Sequence, residues 1–310
     1  MTRRSKLFAV AAVAFWVCGF VGTIHAADQL TPAQSSPPAF DGGKSTWHDG
    51  FIRYDFTMDD ETLAITPFTR PEKEGFAVGA PAKGQRRCIV VVPNKPAPGN
   101  PWSWQACYWD HQPQAEVELL RRGFYIAFIT PDPGRQYPGK QWDAWYAYLT
   151  EKHGLSRKPA FVGMSKGGVN EYTWATSNPD KVSCIYADNP GIYPEDILRL
   201  GELIKHDVPL LNVCIYGENP ALRTIMSGNQ PPLKKPLVDN LAPLAKAGVP
   251  ILHVCGSLDP WLDRDTRVAE KKYKELGGNF TVIVKQGEGH FAAGPQDPKP
   301  VVDFIVGKTN

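Results

Sequence analysis

Neither sign of charge is in excess. Lys+Arg 34 stands against Asp+Glu 32, a formal net charge of +2, so there is no electrostatic case for nucleic acid as the main partner. Cysteine is sparse, at six in 310 residues, which excludes a small fold built on disulfides. The chain has no metal-ligand constellation, no dinucleotide-binding fingerprint and no phosphate loop, so no metal and no cofactor are expected. What the chain does have is 42% hydrophobic and 11% aromatic residues. That is enough for a large core and too apolar for a disordered segment. The length fits one or two domains. An enzyme or a binding protein remains.

The one long apolar run lies at the start. Thr2-Arg3-Arg4-Ser5-Lys6 is basic, Leu7 to Ile24 is apolar, and the small residues Ala26 and Ala27 precede Asp28-Gln29. This is the three-part layout of a signal peptide over residues 1–26, which implies a secreted or periplasmic protein with no stable membrane anchor after cleavage. A retained anchor is the competing reading, because residues 7–24 approach spanning length. Gly19, Gly22 and the small residues at the end favour cleavage. Cleavage removes three basic residues and no acid, which moves the formal charge from +2 to −1. It also leaves five cysteines, Cys88, Cys107, Cys184, Cys214 and Cys255, an odd number that cannot all pair within the chain.

Residues 27–48 hold Pro32, Pro37, Pro38, Gly42 and Gly43 and read as a leader or linker. From residue 49 to 310, apolar β-branched runs alternate with helical segments. Strands are expected at Cys88–Val92, Phe124–Ile129, Ala160–Val162, Val182–Ala187, Val249–Val254 and Phe280–Val284, with Phe51–Phe56 starting an edge hairpin. Helices are expected at Ala115–Arg122, Trp142–His153, Arg264–Leu276 and Pro298–Val306. Runs that are apolar on both faces suit a mostly parallel sheet covered by helices on each side, an α/β architecture. A Pro- and Gly-rich stretch, Asn189 to Asn240, breaks the alternation and reads as a lid or binding insertion, or equally as a solvated excursion.

Phe161-Val162-Gly163-Met164-Ser165-Lys166-Gly167-Gly168 carries the most chemistry. It fits G-x-S-x-G with a strand leading in and a helix leading out, the context of a strained elbow that lifts a serine hydroxyl above the sheet. A serine needs a base within hydrogen-bond reach. His290 follows the last strand, at the carboxyl edge where open α/β sheets place their sites. His253 falls inside a strand and His206 inside the insertion. Asp259 is the first carboxylate after the strand Val249–Val254, with Asp188 and Asp263 as competitors that suit turn or cap roles. The backbone N–H of Lys166 is the expected first oxyanion donor. The loop from Pro93 to Trp102 would supply the second, with Trp102 preferred among its N–H groups.

Gly163-Met164-Ser165-Lys166-Gly167, Gly256-Ser257-Leu258-Asp259 and Gly289-His290 together resemble the α/β-hydrolase superfamily. Pro98-Gly99-Asn100-Pro101-Trp102-Ser103-Trp104 and Val238-Asp239-Asn240-Leu241-Ala242-Pro243-Leu244 are similar to a group of its secreted bacterial members. The resemblance covers about residues 50–306. It implies a sheet of the eight-strand type, no metal and, most often, ester hydrolysis. The donor loop lacks the His-Gly pair of many lipases, and Pro67 to Arg87 has the look of an added loop.

Trp102 and Trp104 read as loop residues walling the site, which would suit a small-molecule or carbohydrate ester, plant-polymer esters included. Trp142, Trp145 and Tyr146 sit at helical spacing and read as core. The expected function is thus a serine esterase. A serine exopeptidase with the same three residues and a non-catalytic binding protein on the same scaffold are the alternatives.

Overall fold

The computed structural model describes residues 40–59, 85–129, 139–192, 237–259, 261–290, 294 and 296–309. The signal peptide, most of the leader, the added loop at 67–87 up to residue 84, His206, Cys214 and insertion residues 193–236 lie outside the described residues. The chain divides into residues 1–36 and 37–310, and every described residue belongs to the second unit.

Among the described residues nine strands form one sheet. They are β1 (Gly43–Trp47), β2 (Phe51–Asp59), β3 (Gln85–Val92), β4 (Trp102–Gln105), β5 (Tyr125–Ile129), β6 (Ala160–Met164), β7 (Cys184–Asp188), β8 (Ile251–Gly256) and β9 (Phe280–Lys285). The spatial order is β1-β2-β3-β5-β4-β6-β7-β8-β9. Pairing is antiparallel from β1 through β3 to β5 and parallel from β5 to β9. The α-helices among the described residues are α1 (Gln114–Arg121), α2 (Gly139–Ala147), α3 (Lys166–Ser177), α4 (Ala242–Lys246), α5 (Arg267–Glu275) and α6 (Lys299–Thr309).

The strands read as continuous apolar runs because both faces of the sheet are covered. In β3, Cys88, Val90 and Val92 face a core shared with α2, α3 and α5, while Ile89 and Val91 face one shared with α1 and α6. Each face therefore takes alternate residues of the same strand. Asp297 caps α6, its Oδ1 accepting the Lys299 N–H at 2.9 Å. Two expected helices carry π-helical turns, Tyr148–Lys152 ending the α2 segment and Leu262–Thr266 leading into α5.

Sequence reasoning misses β4. Trp102-Ser103-Trp104-Gln105 reads as loop and is instead a central strand between β5 and β6. Trp102 and Trp104 are fully buried and stack on one another at 5.3 Å on the α3 side, and the Trp102 indole N–H donates to the Ser156 carbonyl at 2.7 Å. Both are core residues, not walls of a site. Trp142, Trp145 and Tyr146 are buried in the same core, as their helical spacing indicates. Among the described residues Cys88, Cys107, Cys184 and Cys255 are buried and unbridged, and no helix is long and apolar enough to cross a membrane.

Candidate active site

β6 runs into α3 through Ser165, which sits at φ 51°, ψ −114°. A side chain rarely occupies this left-handed region, so the surroundings must hold it there. They do so with backbone bonds: the Ser165 N–H donates to the Asp188 carbonyl at 2.9 Å, and the Ser165 carbonyl accepts from Gly168 and Gly191, each at 3.0 Å. Glycine beside it leaves space that a side chain would contest. A Cβ on Gly163 would stand 2.6 Å from Glu171 Oε1, and one on Gly167 would stand 3.3 Å from the Cys107 Cβ. The close approach at Gly167 presses the exit of β4 against the first turn of α3.

The strand exits bring three distant side chains into line. Ser165 Oγ lies 2.9 Å from His290 Nε2, and His290 Nδ1 lies 3.0 Å from Asp259 Oδ2. The Asp259 carboxylate accepts Nδ1–H, which leaves Nε2 as the acceptor facing the serine hydroxyl. Asp259 is held in turn by the Trp261 N–H, which donates to its other oxygen at 2.9 Å. The Trp261 ring stands edge-on to the imidazole, with centroids 4.1 Å apart at 83°.

The loops carrying Asp259 and His290 are stitched together. The Ser257 N–H reaches the Lys285 carbonyl and the Leu258 N–H the Glu288 carbonyl, both at 2.9 Å. Asn189, at φ 42°, closes the frame. Its amide N–H donates to the His290 carbonyl at 2.9 Å and its Oδ1 accepts the Gly256 N–H at 2.8 Å. Asn189, Trp261 and Glu171 are residues that sequence reasoning alone does not find.

The competitors fall elsewhere. His253 is buried between the Tyr172 hydroxyl (2.7 Å) and Thr266 Oγ1 (2.9 Å), and burial pulls its imidazole down to about 3. Asp188 accepts the Gly294 N–H at 2.7 Å and the Tyr186 hydroxyl at 3.2 Å, with Lys285 Nζ 3.6 Å away. Burial pushes its carboxyl up to about 6. Asp263 is exposed on the π-helical turn.

Trp102 is also too far from the elbow to serve as an oxyanion donor. Ser103 pairs with Ala160, so Trp102 lies level with Pro159, six residues before Ser165 and roughly 20 Å back along the strand direction. Its N–H cannot reach the serine. The segment at the sheet's carboxyl edge is 106–108, where the Cys107 nitrogen would stand 3.6 Å from a Cβ on Gly167. Lys166 opens α3, so its N–H is among those with no intrahelical carbonyl to bond. Among the described residues no group of His, Cys, Asp and Glu could hold a metal ion.

The sheet order, the single antiparallel edge and the serine on the β6–α3 elbow together define the α/β-hydrolase fold. Solved structures share it. An esterase of Pyrococcus furiosus superimposes with a TM-score of 0.59 at 13% identity, covering 88% of this chain and 98% of that one. A fluorophosphonate-binding serine hydrolase of Staphylococcus aureus gives 0.54 at 13%, covering 84% and 99%. An acylaminoacyl peptidase of Pyrococcus horikoshii gives 0.56 at 14%, and the match spans 84% of this chain but only 42% of that one. No protein-family model matches the chain, and no curated protein matches it in sequence.

Proposed function

We propose that this chain is a serine hydrolase that cleaves carboxylic esters through Ser165, His290 and Asp259. The observation that carries the proposal is the unbroken line from Ser165 Oγ through His290 to Asp259, at 2.9 Å and 3.0 Å, built on a serine at positive φ. The esterases among the structures of the same fold support it.

In this reading the Ser165 Oγ attacks the ester carbonyl carbon as its proton passes to His290 Nε2. Asp259 stabilises the imidazolium and keeps its proton on Nδ1. The backbone N–H of Lys166 receives the developing oxyanion. One such donor is worth about 3 kcal/mol in the transition state. The imidazolium then protonates the leaving alcohol, and water activated by the same nitrogen releases the acyl group from Ser165. The carbohydrate-ester reading rested on Trp102 and Trp104 and loses that support. An exported protein, with residues 1–26 removed, remains the proposal for localisation, carried by the basic-apolar-small pattern of its start. Amino-terminal sequencing of the mature protein tests it.

The exopeptidase alternative draws support from the acylaminoacyl peptidase, of which this chain spans less than half. Rapid mixing with p-nitrophenyl acetate separates the readings. An ester hydrolase gives a burst of p-nitrophenol that Ser165→Ala abolishes, and it leaves aminoacyl anilides uncut. Turnover of anilides in preference to esters supports the peptidase, and equal ester turnover by the alanine variant removes both.

A further inference from the structure

Beside the elbow, on the α1 and α6 side of the sheet, the structure holds a small pocket. Gln105, Glu116, Gly163, Met164, Asp188 and Gly294 contribute to its wall. Its volume is about 20 Å³, enough for one small polar group.

The wall is unusual in what it offers. Gln105 Nε2 donates to the Cys107 carbonyl at 3.1 Å, which identifies its other amide atom as the acceptor, and that oxygen is buried with no hydrogen-bond partner. Asp188 uses Oδ2 for Gly294 and Tyr186, while its buried Oδ1 bonds nothing. Glu116 adds a second buried carboxyl, 6% exposed. The cation facing Asp188 is Lys285, whose Nζ stands 3.6 Å from Asp188 and 3.6 Å from Glu288 and donates to the Gly294 carbonyl at 3.2 Å.

We propose that this pocket binds a primary ammonium group. The reason is a match of inventories: the wall presents lone pairs on Gln105 and Asp188 and a carboxyl on Glu116, and an ammonium donates three or four hydrogens and accepts none. A water brings two hydrogens to these three groups and a hydroxyl one, so an ammonium is the donor that can serve all three. A buried acceptor without a partner is costly, and a charged donor satisfies it best. Among the described residues, charge points the same way, because two carboxyls share the region with Lys285, which is also held by Glu288. Burial pushes Glu116 up to about 7 and Asp188 to about 6.

Two sources carry this chemistry. One is a free small amine. The other is the amino group of an aminoacyl substrate, since Met164 adjoins Ser165 and Gly294 lies four residues after His290. The second source rests on the proposed hydrolase reading and the first does not.

The full chain carrying Ser165→Ala is melted in methylammonium chloride and in tetramethylammonium chloride at equal ionic strength. Methylammonium at about ten times its Kd is expected to raise Tm by roughly 2–4 °C over tetramethylammonium. Gln105→Leu is expected to abolish the difference, and Glu116→Gln, which keeps the shape, to reduce it. Equal melting in both salts, or a difference that survives both substitutions, overturns the proposal. The wild-type chain is then given p-nitrophenyl esters of glycine and of propionate, which match in size and differ in the ammonium. A tenfold or greater preference in kcat/KM for the glycine ester, lost in Glu116→Gln, assigns the pocket to substrate, and no preference beside a positive melting result assigns it to free amines. A chain that turns over neither ester fails as a hydrolase, while the melting result still decides the ammonium site.

Discussion

Trp261 meets His290 edge-to-face, with ring centroids 4.1 Å apart, while its own backbone N–H holds Asp259 Oδ1 at 2.9 Å. One residue therefore braces both the imidazole and the carboxylate behind it. Trp261→Leu removes the ring and leaves the backbone bond. We expect kcat for ester hydrolysis to fall by about tenfold to a hundredfold with KM little changed, the scale of a misplaced reacting group. Trp261→Phe should restore most of the loss. Steady-state kinetics of both variants checks this, and a Leu variant with wild-type kcat would show that the imidazole is held by other contacts.

Asp259→Asn keeps the size of the side chain and removes its charge. The amide can present an N–H to His290 Nδ1, which would move the ring proton to Nε2 and turn its lone pair away from Ser165. A loss of about 10³–10⁴ in kcat is expected, with the fold intact by circular dichroism. A loss under tenfold would make Asp259 a spectator.

Gly163 and Glu171 are a packed pair. A methyl at 163 would stand 2.6 Å from Glu171 Oε1. Both carboxyl oxygens are buried without hydrogen-bond partners, and burial pushes the group well above the carboxylate range. Gly163→Ala is expected to destabilise by about 1–3 kcal/mol in urea unfolding, as overpacking does. Adding Glu171→Ala should return part of that loss, because the second change empties the space the first invades. Additive losses would place the strain elsewhere.

Glu116 reverses the usual acid dependence. Burial, with Asp110 and Asp188 adding, holds its carboxyl at about 7 against an ordinary 4.5. Between those values the folded chain binds more protons than the unfolded one, so the Glu116 contribution is complete below about pH 4.5 and is lost as pH rises through 7. Glu116→Gln removes the loss. The variant should match the parent near pH 4.5 and exceed it at pH 8, by an amount of order 3 kcal/mol. Tyr186 and Asp188 line the same pocket, with Lys285 beside Asp188, and all three stay unchanged in both proteins. Unfolding curves at the two pH values decide it.

Much of the sheet is legible in the sequence because strands covered on both faces leave unbroken apolar runs, as in Cys88–Val92 and Tyr125–Ile129. β4 is hidden for the opposite reason. Its alternate residues, Ser103 and Gln105, are polar, and it follows Pro93, Pro96, Pro98 and Pro101, so the segment reads as loop. That error carries Trp102 and Trp104 to the site, whereas a central strand takes them into the core. Ser165, Asp259 and His290 can be picked out as candidates because each leaves the carboxyl end of a strand, and topology brings such ends to one edge. Asn189, Trp261 and Glu171 cannot. Asn189 bonds a carbonyl 101 positions away, Trp261 acts through ring geometry, and Glu171 looks like any charged residue on a helix until the strand beneath it is in place.

The proposed role of Ser165 as nucleophile is the point on which everything else depends. Intact-mass measurement after treatment with a fluorophosphonate, followed by peptide mapping, tests it most directly. One adduct per chain on the peptide containing Ser165, absent from Ser165→Ala and slowed by Asp259→Asn, is the expected result. A full adduct on the alanine variant, or an unmodified wild-type chain that still hydrolyses esters, would contradict the account.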